Sequence, residues 1–401
     1  MVLTFARHYL PGYKAGGPIR SIASIVQRLS ESFEFRIVAL DRDLGGHSPY
    51  PGLQQDRWVP LGGGFVRYVS AKTFGFAEIA AIVRSTPHDV IYLNSFFDPL
   101  FTQCVLVNHR LGRLAGRPIV LAPRGEFSEE AVRLKHFKKR TLVRLGKWLG
   151  LYDGLTWQAS SLREARDIRR ALSIGDENPL TVLNGRIIVA SNLTNSINTA
   201  VAPSTIEDLP IPEGPLRVCF LSRISPMKNL DFALRVLAQV RVPVRFAIYG
   251  PLENVEYWAK CEALIAQLPG NITVVRHGEV EPAQILSTLA QHDLFLLPTR
   301  GENFGHVIYE ALRAGLPVLI SEKTPWRNLQ YLGIGWDLPL SNISEFIGKI
   351  EEVARWSAHE RSERSMRSRE FAAQVRNDET SVEATRQLFL AAIVGHQSLS
   401  R

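Results

Sequence analysis

Leu297-Pro298-Thr299-Arg300-Gly301-Glu302-Asn303-Phe304-Gly305-His306-Val307-Ile308-Tyr309-Glu310-Ala311-Leu312 is the stretch on which the reading of the chain turns. A buried strand ends at Leu297, a loop containing Gly301 reverses the chain, and a helix is expected from about Gly305. In an open α/β sheet, ligands bind beyond the carboxyl ends of the strands. A helix amino terminus placed there offers unpaired N–H groups and the positive end of a dipole, a natural seat for phosphate. Glu302 on the loop and Glu310 about a turn and a half into the helix are poor phosphate ligands. They suit the hydroxyls of sugars on either side of such a seat. Singly, each would be an ordinary solvated carboxylate; together, flanking a glycine turn between strand and helix, they point to a site.

The surrounding sequence supplies the frame. Apolar, β-branched runs recur at Leu216–Leu221, Val244–Tyr249, Ile272–Arg276, Asp293–Leu297 and Pro317–Ile320, with helix-length amphipathic segments between them. That alternation predicts parallel βαβ units in a doubly wound domain. The segment Tyr309–Ala314 stops at Gly315 and passes directly into a buried strand, as a glycine-capped helix does. After the first of these strands comes Ser222-Arg223-Ile224-Ser225-Pro226-Met227-Lys228-Asn229. Arg223 can hold two phosphate oxygens in its planar fork and Lys228 adds a compact charge, at the same sheet edge as the glutamates.

The first half repeats the pattern, with strands expected at Val2–Ala6, Phe35–Leu40, Val90–Leu93 and Ile119–Leu121. A helix opening at Pro18 carries Ile19, Ile22, Val26 and Leu29 along one face. Ser161 with Glu164 reads as a capping box for a helix through Ile168 and Leu172. Thr199–Pro215, dense in Pro and Gly, reads as a linker. The expected organisation is therefore 1–200, 201–378 and a terminal helical segment 379–401, which either caps the second domain or packs back on the first.

Composition narrows the class. The chain has 401 residues, 45% apolar and 21% charged, which excludes collagen-like, disordered and disulfide-scaffold proteins. No apolar stretch is long enough to span a membrane, and the start shows no secretory leader pattern. The three cysteines, Cys104, Cys219 and Cys261, are far apart, which suits a reducing cytoplasm and no zinc site. The net charge of +8 is uneven: residues 1–200 hold 26 Lys and Arg against 16 Asp and Glu, while the rest hold 21 against 23. One half therefore faces an anionic partner.

With those residues assembled, a resemblance emerges. Arg223 with Lys228, and Glu302 with Glu310 within Pro-x-x-x-Glu-x-Phe-Gly-x-x-x-x-Glu-Ala, resemble the signature of GT-B-fold glycosyltransferases of family 4. The likeness covers most of the chain, is strongest over 216–337, and includes Thr324–Leu329 and Gly335–Asp337. Pro123-Arg124-Gly125-Glu126 is similar to bacterial exopolysaccharide and lipopolysaccharide members. The resemblance implies two Rossmann-like doubly wound domains facing each other across a cleft, with a nucleotide sugar between them. Arg223 and Lys228 would bind the diphosphate, helped by the backbone at Phe304 and Gly305. Glu310 would hold the ribose and Glu302 the transferred sugar. Gly16 and Gly17 would approach the phosphates from the first domain. Such enzymes retain anomeric configuration, and neither cofactor nor metal is expected. Asp41-Arg42-Asp43 has the form of a metal-binding Asp-x-Asp but lacks the surroundings of that other fold, and reads as a polar loop. Many relatives place a His at the end of the fourth first-domain strand; here that position is Asn94, which cannot act as a base. His109 reads as structural, His306 lies beside the phosphate seat, and Glu126 is a candidate acceptor contact.

Residues 133–149 hold seven Lys and Arg and no acid, with Leu134, Phe137, Thr141, Leu145 and Trp148 on one helical face. Two readings stay open: a helix lying on an anionic membrane, or a helix packed on the first-domain sheet with a basic outer face. Nucleic acid is disfavoured, since no binding module accompanies the charge. The glycosylation-like sequons at Asn192 and Asn271 carry no meaning in a bacterial-type cytoplasmic chain. The expected function is sugar transfer from a nucleotide donor to a cell-surface, lipid-linked or phosphorylated glycan. The expected location is cytoplasmic, peripheral on the inner face of the membrane. The alternatives are a sugar-nucleotide epimerase of similar fold and a non-catalytic subunit of glycan synthesis. Both are disfavoured by the intact Arg-Lys and Glu-Glu sets.

Overall fold

The computed structural model describes residues 1–114, 116–128, 136–172, 186–194 and 214–399. The chain divides into two units, Met1–Ser196 with Asp378–Arg401, and Ile197–Asn377. The segment 199–215, expected as a linker, falls outside the described residues except at its end.

The first unit contains β1 (Val2–Phe5), β2 (Phe35–Leu40), β3 (Trp58–Leu61), β4 (Gly64–Val69), β5 (Val90–Asn94), β6 (Ile119–Ala122), β7 (Thr156–Ala159) and β8 (Arg186–Val189). They form one sheet in the order β3-β4-β2-β1-β5-β6-β7-β8, parallel except for the β3–β4 hairpin at its edge. Successive strand residues point to opposite faces, and both faces are covered. Leu3, Phe5 and Leu93 pack on one side with Ile79, Val83 and Leu106. Val2, Ile37 and Tyr92 pack on the other with Ile22, Val26 and Leu29, from the helix Gly17–Leu29. The terminal helix Glu379–Leu399 joins that second face. Its Phe389 ring lies 5.5 Å from Phe33 and 5.4 Å from Tyr92.

The second unit contains β9 (Leu216–Leu221), β10 (Val244–Tyr249), β11 (Ile272–Gly278), β12 (Leu294–Leu297), β13 (Val318–Ser321) and β14 (Gly335–Leu338). All run parallel in the order β11-β10-β9-β12-β13-β14. Strand order reverses direction between β1 and β5 in the first sheet and between β9 and β12 in the second. In doubly wound sheets ligands bind at such switch points.

Two local expectations are modified. Ser161 Oγ accepts from Glu164 N–H at 3.1 Å, one half of the expected capping box, at the start of the helix Leu162–Leu172. The Glu164 carboxylate turns to Ser160 N–H, Ser160 Oγ–H and Gly125 N–H. In the helix His136–Trp148 the buried positions are Val143 and Gly146, whereas Thr141, Leu145 and Trp148 face outward, Trp148 being 81% exposed. Gly146 faces inward against Tyr152, whose hydroxyl would lie 2.0 Å from a Cβ at that position. Of the 133–149 segment, 133–135 lie outside the described residues, as do the side chains of 136 and 137.

Candidate active site

The loops after β9 and β12 meet at the switch point of the second sheet. Asn229, left-handed at φ 62°, caps the helix Leu230–Leu237. It donates through its side-chain amide to Pro298 O at 2.8 Å and accepts from Arg300 Nε at 3.1 Å. Arg300 N–H and Thr299 Oγ–H both donate to Met227 O, at 2.8 and 3.1 Å. These bonds tie the Ser225–Asn229 turn to the Thr299–Glu302 turn, and they bring Lys228 to Glu302. The two side chains form an ion pair with only 14% and 11% of their surfaces exposed. Glu302 is further fixed by its own N–H, which donates to Lys323 O at 3.1 Å after β13.

Gly305 caps the helix His306–Arg313 at φ 81°. That backbone angle favours glycine, and a Cβ there would also crowd Ile308 Cδ1 at 2.8 Å, so the Ile308 side chain would have to shift. The Trp326 indole N–H donates to Phe304 O, and the two rings stand edge to face at 5.3 Å. Trp326 N–H is held in turn by Thr324 Oγ at 3.2 Å. Asp337 takes Arg327 Nε at 3.0 Å and Leu329 N–H at 3.0 Å. The Thr324–Leu329 and Gly335–Asp337 segments thus hold the backbone at Phe304 and Gly305, where the helix amino terminus opens. Glu310 lies on this helix, one turn beyond its start.

Arg223 is not an open cation. Its guanidinium pairs with Glu253 at 3.0 Å, on the loop after β10. That loop is pressed onto the Arg223 turn at Gly250, where a Cβ would come within 1.9 Å of Ser222 O at a φ of 128°. Sequence reasoning passed over Glu253 and Gly250. The Tyr249-Gly250-Pro251 break directly after a strand is the signal that marks this contact.

In the first unit Gly16 caps the helix that begins at Gly17. The loop before it is held by Asp43, whose carboxylate accepts from Tyr13 N–H at 2.8 Å and Lys14 N–H at 3.1 Å. Asp41 pairs with Arg42 at 2.7 Å and accepts from Gln55 at 2.6 Å. Both carboxylates of Asp41-Arg42-Asp43 are therefore occupied in holding loops. His109 Nε2 lies 3.2 Å from Arg117 O, within a surface helix end. The His306 ring stands 4.8 Å from that of Phe304. Glu126 accepts from Ser95 Oγ at 2.7 Å and from the N–H groups of Phe96 and Phe97. Burial pushes its carboxyl above the ordinary range, against the pull of those bonds.

Residues 202–354 match the family described as glycosyl transferases group 1. No curated protein matches the chain. Solved structures do. The Anabaena protein HepE, crystallised with UDP and glucose, is 19% identical with a TM-score of 0.66, over 96% of this chain and 98% of its own. Sucrose-phosphate synthase from Thermosynechococcus elongatus is 14% identical with a TM-score of 0.67, over 98% and 99%. WaaG, a glycosyltransferase involved in lipopolysaccharide biosynthesis, is 15% identical with a TM-score of 0.59, over 97% and 99%.

Proposed function

We infer, from the match of 202–354 to glycosyl transferases group 1 and the fold shared with the solved structures, that the chain is a GT-B-fold glycosyltransferase with a family 4-type reaction. A sugar passes with retained configuration from a nucleotide sugar to a lipid-linked or cell-surface glycan. The observation that carries this reading is the switch-point arrangement of the second unit. Arg223, Lys228 and a helix amino terminus at Gly305 surround one edge, with Glu302 and Glu310 beside them. The anomeric carbon–phosphate oxygen bond breaks and a bond to the acceptor hydroxyl oxygen forms on the same face. The hydroxyl proton passes to the departing diphosphate. Negative charge grows on that diphosphate, and fixed cations and N–H groups stabilise it there more than in the ground state. Arg223 and Lys228 meet the diphosphate with the backbone at Phe304 and Gly305. Glu310 holds the ribose and Glu302 the transferred sugar. Gly16 and Gly17 keep the role of the phosphate-approaching loop of the first unit.

The acceptor side is read from the helix His136–Trp148. Leu145, Trp148 and Leu149 are exposed beside Lys138, Arg140 and Arg144, and Leu162 adds a further exposed apolar side chain. Among the described residues no helix is long and apolar enough to cross a membrane. Outward Trp and Leu among cations suit the interface of an anionic bilayer, where a lipid-linked acceptor resides. A thermal-shift panel of nucleotide sugars tests the donor reading, because a ligand that binds only the folded chain raises its melting temperature. One nucleotide sugar is expected to stabilise the chain and to be hydrolysed slowly. Release of nucleoside diphosphate that persists undiminished in Glu302→Ala would overturn the site.

A further inference from the structure

At the carboxyl ends of β5 and β6, beside the switch point of the first sheet, two non-glycine residues hold positive φ, Ser95 at 92° and Arg124 at 56°. Left-handed backbone costs about 1–2 kcal/mol for a residue with a side chain, and it persists where the surroundings impose it. At Arg124 what is held is a guanidinium. Its Nε donates to Asn94 Oδ1 at 2.6 Å, one terminal nitrogen donates to the Tyr92 hydroxyl at 2.5 Å, and the other to Asn192 Oδ1. Tyr92 sends its own proton to Gln158 Oε1 at 2.7 Å, and Gln158 donates to Ala190 O at 3.0 Å. Two strands, β5 and β7, and the segment after β8 thus fix the plane of one cation.

Every acceptor in that set is neutral. Among the described residues no carboxylate stands within ion-pair distance of Arg124. Glu126 and Glu164, the described acids beside Arg124 in the fold, are occupied elsewhere. Glu126 is taken by Ser95, Phe96 and Phe97, and Glu164 by Gly125 and Ser160. A guanidinium carries five N–H groups; three bonds leave one on each terminal nitrogen. Withdrawing a cation partly from water without a counter-charge is unfavourable, and among the described residues Arg124 has none while its geometry is fixed.

We propose that Arg124 is an oxyanion subsite in the first unit, which receives a carboxylate or phosphate oxygen pair of the acceptor on its two remaining N–H groups. Assignment of that anion to the acceptor rests on the transferase reading above; the anion site itself does not. Asn94 is then a positioning residue. The amide orients the guanidinium without cancelling its charge, which an aspartate at the same place would do.

The test follows the arginine Nε–H signals of the full chain by NMR, with the Arg124 signal identified by its loss in Arg124→Lys. Glucuronate and inorganic phosphate are titrated separately, with glucose as the neutral control. At least one oxyanion is expected to move the Arg124 signal saturably, and glucose is not. Phosphate acting alone assigns a phosphorylated group, glucuronate acting alone a uronic acid. Asn94→Asp keeps shape and hydrogen bond while supplying an internal carboxylate. It should weaken the active oxyanion about tenfold or more without lowering the melting temperature, and it serves as the second variant if Arg124→Lys does not fold. A silent Arg124 signal with both oxyanions, or binding to Asn94→Asp as tight as to the wild type, overturns the site. UDP binding is measured alongside by calorimetry. A chain that takes an oxyanion at Arg124 but no nucleotide refutes the transferase reading and leaves this one standing.

Discussion

In the unliganded chain the Lys228 ammonium is already engaged by Glu302, both side chains being mostly buried. A diphosphate that binds Lys228 must compete with that carboxylate. Glu302→Gln keeps the shape and an acceptor oxygen but removes the competing charge. A partly buried pair of this kind is worth about 1 kcal/mol more than its neutral replacement, between the exposed and fully buried limits. Free UDP, which carries no sugar for Glu302 to hold, is therefore expected to bind Glu302→Gln about fivefold more tightly than the wild type. Sugar transfer by the same variant should fall. Lys228→Met removes a charge-assisted contact worth about 1.5–3 kcal/mol, so its UDP affinity should drop by about ten- to a hundredfold. Isothermal calorimetry with UDP at fixed ionic strength reads both changes. The sign decides the matter: weaker UDP binding by Glu302→Gln would show that the pair does not compete with the diphosphate, and the reasoning would fail.

Gly250→Ala drives a methyl group into Ser222 O at a backbone angle closed to alanine; a loss of about 3 kcal/mol or more is expected, a fall of roughly 6–12 °C for a unit of this size, read by near-UV circular dichroism. Asp43→Ala frees the amides of Tyr13 and Lys14, and their hydrogen exchange should speed up about tenfold or more with the rest of the first sheet unchanged. Because burial raises the Glu126 carboxyl, the folded chain binds that proton more tightly than the unfolded one, so stability falls as pH rises from the ordinary carboxyl value through the raised one. Glu126→Gln, whose amide can serve Ser95 and both N–H groups, should match the wild-type melting temperature near pH 4 and exceed it at pH 7; parallel curves would reject the account. Sedimentation with anionic vesicles should weaken with salt and with Lys138→Glu/Lys139→Glu, and unchanged partition would remove the membrane role.

The central strands were legible because a parallel strand covered on both faces is apolar throughout. Leu216–Leu221 and Val244–Tyr249 come close to that, broken only by Arg217 and Arg245 at their second positions, and each is bounded by a turn. The β3–β4 hairpin was not legible. It lies at the sheet edge, where Pro60 needs no ladder partner and one side meets solvent, so neither alternation nor a continuous apolar run marks it. β7 was hidden for another reason. Its Thr156 and Gln158 look like surface residues, yet Gln158 is buried because Tyr92 and Ala190 satisfy its amide. In the basic helix, periodicity gave a stripe but not its direction. Only Tyr152, folded against Gly146, decides that the stripe of Thr141, Leu145 and Trp148 turns away from the core. The site motifs were readable loop by loop, while the pairings Arg223–Glu253 and Lys228–Glu302 depend on which strands the topology places side by side.

Those pairings give the uneven charge of the chain a physical meaning. In the second unit three cations near the switch point each have a carboxylate partner: Arg223 has Glu253, Lys228 has Glu302, Arg327 has Asp337. Such a site stays near neutral when empty, and only a ligand with concentrated charge, such as a diphosphate, repays the separation of its internal pairs. A lone carboxylate offers no more than Glu302 or Glu253 already supply. The first unit treats Arg124 in the opposite way, with neutral acceptors and an amide where a carboxylate would cancel it. Among the described residues no carboxylate has to be displaced there for an oxyanion to bind. On the readings proposed above, the matched unit takes the nucleoside diphosphate and the unmatched guanidinium an oxyanion.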